Sequence, residues 1–529
     1  MPFTLHRLIR RTMSTSSTPA ATRQGTGTST STSTKTSRFN REVAPPVHRG
    51  MTELDRSRFS TQLGFVAAKI PANETGKFRN GVAKSFLIRI PRVPAVVNDP
   101  DTESHRRVIL ELPREASKLL IKGKGRPFVR GTIQPVNGHP SQITKDSPLQ
   151  RALDELGGSW VEHDVTFDYD YWSADQILQS ILPEDLLDES PTSFTQVGHI
   201  AHLNLRDEYL PHRHLIGQVI LDKNKSVRTV VNKLDTIDNE FRNFAMEVLA
   251  GPTEFVVTTS ESGCTFTFDF SQVYWNSRLQ MEHLRLVESF DPKDVVVDAF
   301  AGVGPFAIPA GKKGCGVSAS DLNPASAGAL KHNAAVNKVD HIVRTGNADG
   351  RDWIRQSVLD VWNKPFPAYS PPLSAKARGK LARRANGSNV STTSSPTTSC
   401  GSKSKLDAPV DDDLGPSRRF VDHFVMNLPA LAIEFLDAYK GLYHELYKLP
   451  DAREAIEERG EERLPMVHCY CFTKDMDDQE GDILARATKA LGMPVTKDAR
   501  DYKLRFVRDV APKKEMYCLE FRLSKEMVE

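Results

Sequence analysis

Apolar and polar positions along the C-terminal half of the chain fall into five short runs rich in β-branched and other apolar residues: Val295–Asp298, Val317–Asp321, Ile342–Gly346, Asp422–Asn427 and Met466–Phe472. Helix-like stretches separate them. Runs of four to eight apolar residues bounded by Gly, Asp or Asn are the pattern of strands buried on both faces, and strand–helix alternation predicts an α/β domain with a doubly wound sheet. This domain is expected to occupy residues 286–529. It is interrupted between 365 and 418, where Ser, Thr, Pro, Lys and Arg dominate and an acidic Asp411–Asp413 run appears. Such a segment cannot bury a core, so a disordered insertion on a surface loop is expected.

Upstream, Val197–Arg206 alternates as a strand does, His214–Asp222 has helical spacing, and Val227–Lys233 alternates again. These predict a second, smaller α/β domain over 190–285. Sparser apolar runs, among them Ser85–Ile90 and Arg107–Leu112, place an N-terminal α/β domain over 43–185, with a basic stretch at Lys118–Pro127. Residues 1–42 differ in kind. They are rich in Arg, Ser and Thr and hold no acidic residue before Glu42, the composition of a mitochondrial transit peptide. Met13 and Met51 are possible alternative starts, so cytoplasmic and nuclear pools are expected beside the mitochondrial matrix.

Composition narrows the chemistry. A net charge of +3 over 529 residues leaves any nucleic-acid contact to local basic patches. The six cysteines form no C-x-x-C pair and no zinc spacing, so no metal site is expected and the thiols read as reduced core residues. Cys469 and Cys471 would share one strand face. No apolar run reaches membrane-spanning length, so a soluble protein without a membrane partner is expected.

The chemistry concentrates after the first run. Asp298 closes it, Gly302 and Gly304 make the following turn, and Asp321 ends the second run just over twenty residues on. Glycines allow close backbone approach to a ligand, and a carboxylate at that distance can take two hydrogen bonds from a ribose diol. Position 307 is Ala and Pro305 follows Gly304, so the dinucleotide fingerprint is incomplete, and no G-K-[ST] is present. A turn without a phosphate grip suits S-adenosylmethionine better than a nicotinamide cofactor. After the third run, Asp349 and Gly350 offer a carboxylate and a backbone N–H to adenine, or else Asp349 caps a helix. Asn427-Leu-Pro429 closes the fourth run with an amide at the ligand edge of the sheet and a proline that stiffens the turn. N-x-P recurs in enzymes that methylate base nitrogens.

From about Phe194 to the C-terminus the chain resembles the eukaryotic and archaeal tRNA (guanine-N1)-methyltransferases that act on guanosine 37. The resemblance rests on Val197–Arg206, Val219–Asn224, Thr229–Lys233, Phe241–Gly251, Val273–His283, Asp298–Phe306, Asp321–Pro324 and Asn427–Pro429, in that order. It implies cofactor contacts at His283, Asp321, Leu322, Asp349, Gly350 and Asn427. It also implies chemistry at Glu282 and Arg242. N1 of guanine is protonated at neutral pH, so a carboxylate at Glu282 would take that proton, ideally with its pKa raised by burial, and a guanidinium at Arg242 would stabilise charge on O6. Asn427 would orient the base. The target base must be splayed from its loop, with Tyr274, Trp275 and Phe306 as stacking candidates. The resemblance further implies that the first domain meets the outer corner of the tRNA, for which Lys122, Lys124 and Arg126 are candidates. A monomer with no obligatory protein partner is expected. Two rivals remain: an aminocarboxypropyl transferase of the wybutosine pathway, with the same fold, and a non-catalytic tRNA-binding protein.

Overall fold

The computed structural model describes residues 43–112, 147–187, 191–234, 245–369 and 417–529. It divides into two compact units. Among the described residues, one holds 43–44, 61–112 and 147–166, the other 45–60 and those from 167 on.

The first unit is built on a four-stranded sheet. Its strands are β1 (Thr61–Pro71), β2 (Val96–Asn98), β3 (His105–Leu110) and β4 (Ser159–Phe167), in the order β2-β3-β1-β4. Two-residue alternation along β1 splits its side chains between two small cores. Val66, Ala68 and Ile70 pack with Val108, Leu110 and Leu153, while Phe65 and Ala67 pack with Ile109. Residues 43–185 were expected as one domain, but the compact unit is narrower. The segment 45–60 buries Phe59 in the other unit, where the Trp172 indole donates to the Phe59 carbonyl at 2.7 Å. Arg56 grips Asp222 with two parallel hydrogen bonds of 2.8 and 2.9 Å.

The second unit carries a seven-stranded sheet. Its strands are β11 (Val295–Asp298), β12 (Gly316–Ser320), β13 (Val343–Gly346), β14 (His423–Met426), β15 (Met466–Thr473), β16 (Lys503–Ala511) and β17 (Lys514–Arg522). The order is β13-β12-β11-β14-β15-β17-β16. The five strands expected from the sequence are present, with ends moved by at most one residue. Val295, Val296 and Val297 are wholly buried, as a strand covered on both faces requires. The hairpin β16–β17 was not anticipated. Its outer strand is half exposed and studded with Lys503, Arg505 and Arg508, which hides its apolar alternation.

Residues 190–285 were expected as a separate domain. They instead share one core with the large sheet: Val197, Ile200 and Val231 belong to the same buried cluster as Val295 and Phe306. Two smaller sheets lie here. One is β5 (Thr195–Val197), β6 (Ile200–Leu203), β7 (Thr229–Lys233) and β8 (Met246–Ala250) in that order, and the other is the hairpin β9 (Val256–Glu261) with β10 (Cys264–Asp269). The run Val197–Arg206 is not one strand. Gly198, at φ +55°, turns the chain between β5 and β6. The five described cysteines are buried and unpaired. No helix among the described residues is long and apolar enough to cross a membrane.

The insertion expected at 365–418 lies mostly outside the described residues, but its base is fixed. Phe366 and Arg418 form an antiparallel bridge, and the Arg418 guanidinium donates to the carbonyls of Pro292 (3.1 Å), Gly314 (2.9 Å) and Pro367 (2.8 Å). The fold is therefore closed beneath it. Replacing residues 370–416 with a short Gly/Ser linker is expected to leave Tm and methyl transfer essentially unchanged. Scanning calorimetry and a transfer assay check this.

Candidate active site

The C-terminal edge of the sheet gathers most of the expected residues. At the end of β11, Gly302 and Gly304 adopt φ of +53° and +100°, which side-chain-bearing residues avoid. A Cβ on Gly304 would lie 2.7 Å from Ile308 Cγ1, so this glycine serves helix packing. A Cβ on Gly302 would meet nothing within 4 Å, so this glycine leaves open space at the turn. Asp321 grips that turn: one carboxylate oxygen accepts from Gly302 N at 2.8 Å, the other from Asn323 N at 2.9 Å. Each oxygen retains a second acceptor direction, the geometry a vicinal diol needs. Leu322 beside it is 46% exposed, unusual for a leucine at a sheet edge. Asn347 Nδ2 holds the carbonyls of Asp321 (2.7 Å) and Leu322 (2.9 Å).

Asp298 is wholly buried. One oxygen accepts from Phe300 N at 3.3 Å, and the other has no partner. Burial, with a smaller push from Asp321, raises its carboxyl to about 8. The sign of the linkage follows. The folded-state value lies above the ordinary 3.8, so ionising this group costs stability progressively as pH rises from about 4 to 8. Asp298→Asn is expected to raise Tm more at pH 8 than at pH 5 relative to the unsubstituted chain. Equal shifts at the two pH values would show that Asp298 is already ionised in the folded state.

Asp349 caps the helix Gly350–Asn363, accepting from Arg351 N at 2.8 Å. The capping alternative is thus realised, with one carboxylate oxygen spent on it. A Cβ on Gly350 would lie 2.7 Å from the Phe300 ring, so that glycine lets the ring lie against the helix start. His283 is buried: Nδ1 meets Glu261 Oε1 at 2.6 Å, and the ring packs edge-on against Phe306 with centroids 4.7 Å apart.

Strand register brings the remaining pieces together. In the parallel ladder, Asp298 is opposite Val425, Val425 is opposite His468, and Met426 is opposite Cys469. Asn427 follows the last paired residue of the fourth parallel strand, and Tyr470 follows its partner Cys469 on the next. Asn427 Oδ1 is buried without a partner, an acceptor awaiting a donor. Its loop is pinned by Phe472 N, which donates to the Pro429 carbonyl at 2.9 Å. The Tyr470 hydroxyl donates to Glu282 Oε1 at 2.8 Å. Glu282 stands in the first turn of the helix Gln280–Ser289 and also receives Arg285 Nε (2.9 Å) and Nη2 (2.6 Å). Glu282 and Tyr470, far apart in sequence, are thereby joined.

Arg242 lies outside the described residues. Of the three aromatics, only Tyr274 is available for stacking, at 47% exposed; Trp275 and Phe306 are buried, Trp275 against Phe266 and Phe268. Tyr470, Arg285 and Glu261 were missed as site residues. A signal existed for Tyr470: His468, Tyr470 and Phe472 alternate with two cysteines and so share one strand face.

A strand order of two parallel strands on each side of β11 and an antiparallel β17 beyond β15, with an acid and glycine turn at the first strand, defines a nucleoside-cofactor methyltransferase fold. Residues 257–364 match the TRM5/TYW2 methyltransferase domain, and residues 174–254 the TYW2 N-terminal domain. A tRNA (guanine(37)-N(1))-methyltransferase of Coprinopsis cinerea is 44% identical, over 92% of this chain and 97% of its own. One of Cryptococcus neoformans is 40% identical, over 92% and 88%. The solved structure of Trm5b from Pyrococcus abyssi is 20% identical, covering 87% of this chain and 99% of its own at a TM-score of 0.46. The chain belongs to the tRNA (guanine(37)-N(1))-methyltransferase family.

Proposed function

We propose that this chain transfers a methyl group from S-adenosylmethionine to N1 of guanosine 37 in tRNA. The observation that carries the reading is the turn after β11 where Asp321 grips Gly302, with the unpartnered Asn427 Oδ1 just after the neighbouring strand β14 and Tyr470 of the next strand bonded to Glu282. The residues present suit the cofactor. Asp321 has acceptors for the ribose hydroxyls, Leu322 an exposed apolar face, Gly302 open space at the turn, and Asn427 Oδ1 an unmet acceptor. The cofactor supplies an electrophilic methyl group on a sulfonium.

The chain's own residues supply the rest. Asn427 orients the guanine by accepting from one of its N–H groups, which removes the cost of its unpaired oxygen. Glu282 accepts the N1 proton, and Arg242 stabilises charge gathering on O6. Tyr274 stacks on a splayed base. Asp321→Ala is expected to weaken S-adenosylmethionine binding by about 100-fold or more, the value of two hydrogen bonds to a charged group at about 1.5–3 kcal/mol each, read by calorimetric titration.

The deciding experiment offers labelled S-adenosylmethionine to an unmodified transcript with guanosine 37 and to one with adenosine there. Label recovered as 1-methylguanosine from the first alone supports the reading. Cofactor binding without methyl transfer would overturn it in favour of aminocarboxypropyl transfer, and tRNA binding without either reaction in favour of a non-catalytic role.

The chain is further proposed to act as a monomer in the mitochondrial matrix, with cytoplasmic and nuclear pools. A start at Met13 would retain the whole segment 45–60, whereas a start at Met51 would remove His48, whose N donates to the Ser180 carbonyl at 2.8 Å. Met13 is therefore the start that suits a short form. Fractionation of cells expressing Met1→Ala and Met13→Ala forms, with light scattering of the purified protein, tests compartments and oligomeric state.

A further inference from the structure

Arg285 is shared between two carboxylates. Its Nε and Nη2 hold Glu282, while Nη1 forms an ion pair with Glu520 Oε1 at 2.8 Å. Glu520 stands on β17, opposite His468 of β15, and is almost wholly buried. Two histidines and an aspartate lie beyond it. His468 Nδ1 lies 3.7 Å from Glu520 Oε1, too far for a hydrogen bond. His468 Nε2 meets His423 Nδ1 at 3.0 Å, and His423 Nε2 meets Asp294 Oδ2 at 3.0 Å.

We propose that Arg285 and Glu520 are positioning residues for Glu282: Glu520 gives the guanidinium a second counter-ion, so Glu282 can take up the N1 proton without stranding a buried cation. The inference rests on Glu282 being the proton acceptor. Glu282 Oε1 already accepts from Arg285 and Tyr470, and Oε2 accepts from Arg285 Nε alone, so Oε2 has the open direction. In the proton step the N–H pair stays on N1, the proton moves to Oε2, and the carboxylate becomes a neutral acid. Before that step two carboxylates face one guanidinium; afterwards one faces one. An Arg–Glu282 pair by itself would resist protonation, because it would leave Arg285 unpaired in a partly buried site.

The groups around Glu282 are Arg285 on its own helix, Tyr470 and His468 on β15, Cys518 and Glu520 on β17, and Arg505 on β16, whose Nε lies 3.7 Å from Glu520. Burial would push the Glu520 carboxyl up, but the Arg285 guanidinium 2.8 Å away holds it below the usual carboxylate range. It therefore carries its charge throughout the working range.

The test measures single-turnover methyl transfer to the guanosine 37 transcript as a function of pH, for the full chain and for Glu520→Gln, Arg285→Gln, Arg285→Lys and Glu282→Gln. Glu520→Gln leaves Arg285 bound to Glu282 alone, so the acid limb of the profile is expected to move to lower pH and the plateau rate to fall. Arg285→Gln is expected to move the limb the opposite way, by about one pH unit or more. Arg285→Lys keeps the charge but loses the fork, so the limb stays nearer its place while the plateau falls. Cofactor affinity should change less than about twofold in all of them. Movement of both Gln variants in the same direction, or a lower plateau with no movement of the limb, would overturn the proposal and leave a packing role only. Should Arg285→Gln fail to fold, the direction given by Glu520→Gln decides alone. A Glu282→Gln enzyme with an undiminished rate would instead sink the reading of Glu282 as the proton acceptor.

Discussion

Asn427→Ala is expected to lower single-turnover methyl transfer by about 100- to 1000-fold, the range found when one preorganised polar group is removed from a reacting centre. The effect is large because the side chain is already in place. Asn427 Oδ1 is buried and unpaired, so the protein bears the cost of dehydrating it, and only a ligand N–H can recover that cost. Truncation removes both the hydrogen bond and the constraint on the base. Cofactor binding should weaken much less than turnover, because Asp321 and the glycine turn remain. Tm should not fall, since an unsatisfied buried atom is lost. A rate within about threefold of the parent would exclude Asn427 from orienting the base.

Glu282→Gln is expected to cost about 100- to 10,000-fold in the same assay, the span of general-base contributions. The amide keeps the shape and can still accept from Tyr470 and Arg285, so the loss would report proton transfer and not collapse of the helix. Arg285 retains Glu520 as its counter-ion, which protects the fold in this variant. The check is a pair of measurements on one sample: thermal unfolding unchanged within a few degrees, and the rate reduced. A matching fall in both would reduce Glu282 to a structural ion-pair partner.

Much of the site could be read from residue order because its pieces are local. The strand ending at Asp298, the turn at Gly302 and Gly304, and the acid at Asp321 lie on one βαβ unit, where sequence distance and spatial distance agree. Expectations failed where segments far apart in sequence meet. The domain boundary near 185 was misplaced because Phe59 and Trp172, over a hundred residues apart, bury together. The separate domain at 190–285 dissolved because alternation in a strand does not say whose core its apolar face joins. Arg285 and Glu520 look like ordinary surface charges, since a salt bridge between a helix and β17 has no signature in either segment. His283 was expected at the cofactor, and its bond to Glu261 shows at least one ring nitrogen occupied within the protein.

The sequence by itself determined the sheet class, the strand ends and the identity of the side chains presented at them, because hydrophobic period and turn residues act over a few positions. The tertiary structure decided which of those side chains are neighbours. Strand order set β14, which ends before Asn427, beside β15, and contacts from one helix to β15 and β17 brought Glu282 to Tyr470 and tied Arg285 to Glu520. Parallel neighbours in a sheet are joined by crossovers of any length, so which strands become adjacent is settled by burial and handedness across the whole core.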